Sequence, residues 1–354
     1  MNKMYVVNNG YPSSDNGQYC AYIESIYTAL LEAKTGYEIE LLVMKMSGNG
    51  LKSYKILKYI GYYFKLFVYN FKFRKEDIIY IHNYPHSFIP LLPTLLLGRN
   101  IIIHWHGDDV YPIGKLAVFL CKVSYFFLGS KVRHIAPSRY FSRCVEELLG
   151  ITPGSVHISP SGGVDVDVFR PTQKNFVNKQ KPFKIGYASH MSKAKGFDVF
   201  ESFISKISSL NYFETEVEFH IINYGSDKEY YLNRLKLFSN IVIHKRMPKE
   251  EMPGFFNGID MLIMPTIRQG ESLGLVVLEA MACDIPILST SLYAMPEFVV
   301  PGISGELFDP QDLEQGLMKL WKIFDNYDSY KPRDLIETNY SKSNVVDDYK
   351  KYFS

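Results

Sequence analysis

The chain has little of what would mark a stapled, secreted or strongly charged protein. Four cysteines in 354 residues, Cys20, Cys121, Cys144 and Cys283, form no CxxC pair and no metal-ligand spacing. They read as reduced thiols of a cytosolic protein. Charge of one sign is missing too: the formal net charge is +2, which gives general nucleic-acid binding no support. No apolar run reaches the about 18 residues that a bilayer-crossing helix needs. The nearest, Ile113 to Leu128, is broken by Lys115 and Lys122. The opening MNKMYVVNNG is too short in its apolar part for a signal peptide and reads as a first strand. It carries no GxGxxG, which argues against a dehydrogenase. Tryptophan is scarce at 2, against 27 Tyr and 24 Phe.

What is present is a globular composition, 47% hydrophobic and 21% charged, on a length suited to two domains. Short runs rich in Val and Ile alternate with helical patterns. MYVVN, YEIELLVMKM, DIIYIHN, NIIIHWHG, RHIAPS and VHISP read as strands of a first half, and FKIGYAS, VEFHIINYG, IVIHK, DMLIMPT and PILST as those of a second. Such runs, ending in Gly, Asn, Ser or His, suit parallel strands buried on both faces. The alternation predicts an α/β fold of two doubly wound domains, 1–168 and 169–340, around a linker at 161–181. The stripe Val345/Val346, Tyr349, Tyr352/Phe353 predicts a last helix, within 341–354, that packs back on the first domain.

Ligands of doubly wound sheets sit beyond the carboxyl ends of the strands. At one such end stands QGESLGLVVLEAMACDIPIL, with Glu271 and Glu279 flanking a helix expected to start near Leu273. The free first-turn amides near Gly274 and Leu275 suit a phosphate. A carboxylate deeper in the helix suits a neutral diol, because it accepts from two hydroxyls. The pair read alone is more often an ordinary capped helix with surface acids. At another strand end stands GYASHMSKAKGFDVF, where Lys193 and Lys195 supply point charges for a diphosphate. Alone, these are ordinary loop lysines. His82, His86, His104 and His106 fall on adjacent strand ends. Without acidic or cysteine support they are not taken as a zinc site, and Asp165 and Asp167 of the "DVD" are taken as structural.

E-x7-E leading into EAMAC, and KG followed by an apolar helix, resemble the donor-site motifs of glycosyltransferase family 4. PSSDNGQYCAYIESI, IIIHWHGDD, RHIAPSRYF and ISPSGGVDVDVFRP extend the resemblance along almost the whole chain. It implies the GT-B architecture, two Rossmann-like domains facing across a cleft, and a retaining, metal-independent hexosyltransferase. A nucleotide-diphosphate sugar, UDP-linked by preference, would be substrate and no cofactor would be needed. A glycan or lipid-linked oligosaccharide would accept, in bacterial-type surface polysaccharide synthesis.

Carried over, Glu279 holds the ribose, Glu271 the sugar hydroxyls, and Lys195 the diphosphate. Gly274 and Leu275 offer amides, Gly17 lets its loop approach the phosphates, and His106 contacts the transferred sugar. Two positions depart from the pattern: His190 stands where an arginine is usual, leaving its charge to a protonated His190 or to Lys193, and Asn16 replaces a glycine. His190 makes a catalytically inactive nucleotide-sugar binder or scaffold the competing reading. A sugar-nucleotide epimerase is another, and would want further acid/base carboxylates. Base contacts are expected near 222–225 and 245–248.

The helical pattern from Leu51 to Lys75 has an apolar stripe, Ile56, Ile60, Phe64, Phe67 and Phe71. Opposite lies a basic and tyrosine face with Lys52, Lys55, Tyr59, Tyr62, Lys65, Tyr69 and Lys72. The basic face is expected to meet an anionic membrane surface, giving a cytoplasmic protein with peripheral attachment to the inner face of the cell membrane. An ordinary sheet-covering helix is the plainer alternative.

Overall fold

The computed structural model describes residues 1–12, 20–45, 52–129, 131–172, 182–209 and 216–354, with the backbone alone for 52–55. Gly17 and Asn16 lie outside the described residues. The chain divides into two compact units, Met1–Gly163 with Lys342–Ser354, and Val164–Ser341. The first division falls at 163/164, where the sequence reading puts 168/169.

The first unit runs β1 (Lys3–Tyr11), α1 (Ala21–Ala33), β2 (Glu38–Lys45), α2 (Lys52–Tyr69), β3 (Ile78–His82) and α3 (Phe88–Leu96). It continues with β4 (Asn100–His104), α4 (Lys115–Phe126), β5 (Arg133–Ala136), α5 (Arg139–Leu149) and β6 (His157–Ile158). The strands are parallel, in the order β2-β1-β3-β4-β5-β6. Each of the inner strands is buried on both faces, which is why it reads as an unbroken apolar run. One face buries Tyr5, Ile79, Ile101 and Ile103 under Leu66 of α2, Leu91 of α3 and Val145 of α5. The other buries Met4, Tyr80 and Ile102 under Ile26 and Leu30 of α1. The final helix, Lys342–Phe353, shares this second cluster through Val345, Tyr349 and Phe353.

The second unit runs β7 (Phe183–Tyr187), α6 (Phe197–Ser209), β8 (Val217–Asn223), α7 (Lys228–Leu235), β9 (Ile241–Lys245) and α8 (Met252–Asn257). Then follow β10 (Met261–Met264), α9 (Leu275–Ala282), β11 (Ile287–Thr290), α10 (Met295–Phe298), β12 (Gly305–Phe308), α11 (Leu313–Asp325) and α12 (Pro332–Asn339). The final helix is therefore α13. The order is β12-β11-β10-β7-β8-β9, all parallel. Renumbered within the unit this is 6-5-4-1-2-3, the dinucleotide-fold order, whose winding reverses between β7 and β10.

Two readings of the sequence are corrected here. β12 is a strand that the sequence reading omits. Its GELF is short and opens on a glycine, yet Gly305 is what lets it pair: a Cβ there would sit 1.9 Å from the Ile287 carbonyl oxygen. The apolar stripe of α2 also turns outward and its tyrosines inward, while Lys65 of the basic side stays exposed. Tyr62 and Leu66 are buried, while Ile56, Ile60, Phe64, Phe67 and Phe71 are exposed. The tyrosine face can go inward because its hydroxyls find partners. Tyr62 Oη lies 3.0 Å from Ser87 Oγ, Tyr69 donates to Glu40 at 2.5 Å, and Asn9 donates to Tyr59 at 3.3 Å.

A candidate nucleotide-sugar site

The loops that follow β7 and β10 meet at the point where the winding of the second sheet reverses. After β7 the chain runs through Ala188–Ser192 and a single 3-10 turn, Lys193–Lys195, into α6. Tyr187 ties this loop down, its hydroxyl donating to the carbonyls of His190 at 2.7 Å and Lys195 at 3.3 Å. Gly196, at φ 72°, lets the two loops touch. A Cβ there would lie 1.7 Å from the Pro265 carbonyl oxygen. Beside it the Ile267 amide donates to the Ala194 carbonyl at 3.1 Å.

This contact joins Lys195 and Glu271, which the sequence reading gave separate duties. Lys195 Nζ lies 2.5 Å from Glu271 Oε2, with the two side chains 16% and 9% exposed. Thr266 donates to the same oxygen at 3.3 Å. Burial pushes the Glu271 carboxyl up, but Lys195, then Arg268 and the Thr266 hydroxyl, outweigh it and hold the group below its ordinary value. Glu271 is thus an anion at neutral pH, and the lysine is oriented before any ligand arrives.

His190 has an exposed ring edge, packed at 4.6 Å against Tyr224. Its partial burial, followed by the charges of Lys195, Arg246 and Arg268, lowers its pKa below the usual histidine value. The free protein therefore carries it neutral at pH 7. Lys193 is exposed and forms no ion pair with another described residue.

Arg246 and Arg268 are the cations that sequence reasoning missed. Arg246 stacks 6.0 Å over Tyr224, within segments anticipated for base contacts, but Arg268 had no local signal beyond being a charge in a loop.

Gly274 caps α9 in a left-handed conformation, φ 66°, with no side-chain hydrogen bond at the cap. The helix itself begins at Leu275, two residues later than the sequence reading placed it. A Cβ on Gly274 would come within 2.8 Å of Met295 Cε. Glu279, one turn along α9, is half-buried, and burial raises its carboxyl to about 7, with Lys249 pulling weakly the other way. A carboxyl so placed costs stability when ionised and has no strong cationic partner, a combination more common in binding sites than in structural networks.

In the first unit, His82, His104 and His106 come together, each offering a nitrogen within 4.8 Å of the others. His86 is not in the group. His82 Nδ1 and His106 Nε2 lie 2.8 Å apart, and Tyr80 Oη lies 2.6 Å from His104 Nδ1. Burial, and then mutual repulsion, lowers all three well below the usual histidine range, so they are neutral. Two nitrogens on a tetrahedral metal would stand about 3.3 Å apart for bonds of 2.0–2.1 Å. The shorter spacing is that of a shared proton between His82 and His106, while His104 is held through Tyr80, and the buried Nε2 atoms of His82 and His104 have no hydrogen-bond partner among the described residues. Asp109, which closes the IIIHWHGDD run but was given no role from the sequence, anchors the backbone at His106. Its carboxylate accepts from the amides of His106 at 2.9 Å and Gly107 at 2.8 Å, and burial raises it to about 6.

Residues 182–326 match the family described as Glycosyl transferases group 1. An uncharacterized 41.2 kDa protein in the cps region of Klebsiella pneumoniae is 24% identical over 340 residues, 90% of this chain and 88% of that one. A GDP-mannose-dependent α-(1-6)-phosphatidylinositol monomannoside mannosyltransferase of Mycolicibacterium smegmatis is 26% identical over 63% of this chain, which spans 62% of that enzyme's length. Among solved structures, Anabaena HepE in complex with UDP and glucose superposes with a TM-score of 0.72 at 13% identity, over 99% of both chains. The fold is GT-B. Over residues 182–326 the chain is thus similar to glycosyltransferases of group 1 type.

Proposed function

We propose that this protein is a retaining, metal-independent hexosyltransferase that moves a sugar from a nucleotide diphosphate, UDP by preference, to a glycan or lipid-linked oligosaccharide. The observation that carries the reading is the meeting of Lys195 with Glu271 at the reversal point of the second sheet, with Arg268, Arg246 and the uncapped start of α9 around it. Cations and free amides on one side suit a leaving diphosphate, and acceptor carboxylates suit hydroxyls. Lys195 keeps two N–H donors beyond the one given to Glu271. Glu271 keeps an oxygen for a sugar hydroxyl. Glu279, once ionised, accepts from the ribose diol, and Gly274 and Leu275 present amides to the phosphates.

In the reaction the bond between the anomeric carbon and the diphosphate oxygen breaks, and the electron pair leaves with the diphosphate. The acceptor oxygen bonds to the same face of that carbon, and its proton passes to the departing phosphate. Lys195, Arg268 and the helix start stabilise the charge that develops, so the scheme calls on no metal. For His106 the scheme keeps the sugar contact that the resemblance implies, with Asp109 as the positioning residue behind it. A setting in surface polysaccharide assembly is supported by the cps-region relative of K. pneumoniae, and UDP by the ligand of Anabaena HepE. GDP is the alternative base, supported by the M. smegmatis relative.

The inactive-binder reading rested on His190. Arg246 and Arg268 beside it restore the missing charge, which favours an active enzyme. Slow hydrolysis of UDP-glucose and UDP-galactose, followed by proton NMR, tests this. Release of UDP with the α-anomer formed first supports retention and activity. No turnover of any nucleotide sugar, together with measurable nucleotide binding, leaves the binder reading standing instead.

A further inference from the structure

The first sheet carries α2, α3 and α4 on one face, and these helices are apolar outside as well as inside. Ile56, Ile60, Phe64, Phe67 and Phe71, along and just beyond α2, are between 47% and 79% exposed. On α4, Phe119 is 62% and Phe126 85% exposed, and Leu96 at the end of α3 is 72% exposed. The three helices are one continuous surface. Asn70 at the end of α2 donates to the Pro90 carbonyl of α3 at 2.7 Å, and Phe88 of α3 stacks on Phe127 beyond α4 with ring centroids 6.1 Å apart. Apolar patches of this breadth on soluble proteins mark docking surfaces.

Charge decides the occupant. Not one Asp or Glu occurs in α2, α3 or α4, while exposed Lys115 and Lys122 share the outer side of α4 with Phe119 and Phe126. A second copy docked by a two-fold axis would set these lysines against themselves. A bilayer with anionic headgroups takes both features at once: the rings enter the acyl boundary and the ammonium groups stay with the phosphates. No helix among the described residues is long and apolar enough to cross a membrane, so the contact is from one side.

We infer that this three-helix face docks on an anionic lipid bilayer by inserting its phenylalanines. This differs from attachment through the lysine and tyrosine side of α2, because the tyrosines of that side, Tyr59, Tyr62 and Tyr69, pack on the core. It does not rest on the donor-site reading, since it is measured with no substrate present.

The test is flotation of the full chain with phosphatidylcholine vesicles, with and without phosphatidylglycerol. Binding is expected to the anionic vesicles. It should fall at least about tenfold in Phe64→Ser/Phe67→Ser and again in Phe119→Ser/Phe126→Ser, with the melting temperature of each pair retained. In Phe64→Trp, emission should shift to the blue and be quenched by brominated lipid. Flotation that the serine pairs leave unchanged would overturn insertion. So would absence of flotation, including the case where sedimentation equilibrium shows a lipid-free dimer that the serine pairs dissociate.

Discussion

Lys195 and Glu271 form a nearly dry ion pair, and breaking such a pair leaves an uncompensated charge. Lys195→Ala should lower unfolding stability by about 3 kcal/mol, and Lys195→Ala/Glu271→Gln should recover part of that loss, both read from urea unfolding. Glu279 behaves in the opposite sense. Its folded pKa is raised to about 7, above the 4.5 of a free glutamate. The unfolded chain therefore releases this proton first, and stability declines as pH rises from about 4.5 through about 7. Glu279→Gln should leave stability unchanged near pH 4 and raise it by up to about 3 kcal/mol at pH 8. The same substitution should weaken UDP and flatten its pH dependence. In the wild type, affinity should gain up to about tenfold from Glu279 between pH 6 and pH 8 as the carboxylate forms. Titration of UDP itself is common to both proteins, so the difference between their profiles isolates Glu279. A Glu279→Gln protein that binds UDP as wild type does would remove the ribose role.

Whole elements were legible where the physics is local. Strands buried on both faces read as Val- and Ile-rich runs, and β3, β4, β7 and β10 were placed from that alone. β12 was not legible, because a four-residue strand opening on glycine has no period to detect, and its need for Gly305 exists only once β11 lies beside it. Gly305→Ala should therefore push β12 away from β11 and cost about 1–3 kcal/mol, checked by thermal unfolding. The outward turn of the apolar stripe of α2 has a related cause. A stripe count cannot tell which side of an amphipathic helix meets the sheet when the opposite side is built from tyrosines whose hydroxyls can be satisfied inside. In the site, Lys195, Glu271 and Glu279 were placed by the resemblance of their segments to family motifs, since each segment alone read at least as well as ordinary structure. Arg246, Arg268 and Tyr224 were not, since each gains its role only from neighbours far away in sequence.

At the scale of the molecule, the second unit carries the proposed nucleotide-sugar site on one sheet, at the place where its winding order reverses. The first unit depends on a helix supplied from the far end of the chain. Removing residues 342–354 would uncover Met4, Ile26 and Tyr80, and the truncated chain should show the first unit melting before the second. The claim on which the account turns is that the second unit binds a nucleoside diphosphate through Lys195 and Glu279. Calorimetric titration of UDP, with GDP and ADP beside it, into wild type, Lys195→Ala and Glu279→Ala tests it most directly. The account predicts that UDP binds wild type and that each substitution weakens it by about tenfold or more. Failure of all three diphosphates to bind at millimolar concentration, or binding that neither substitution changes, would contradict it.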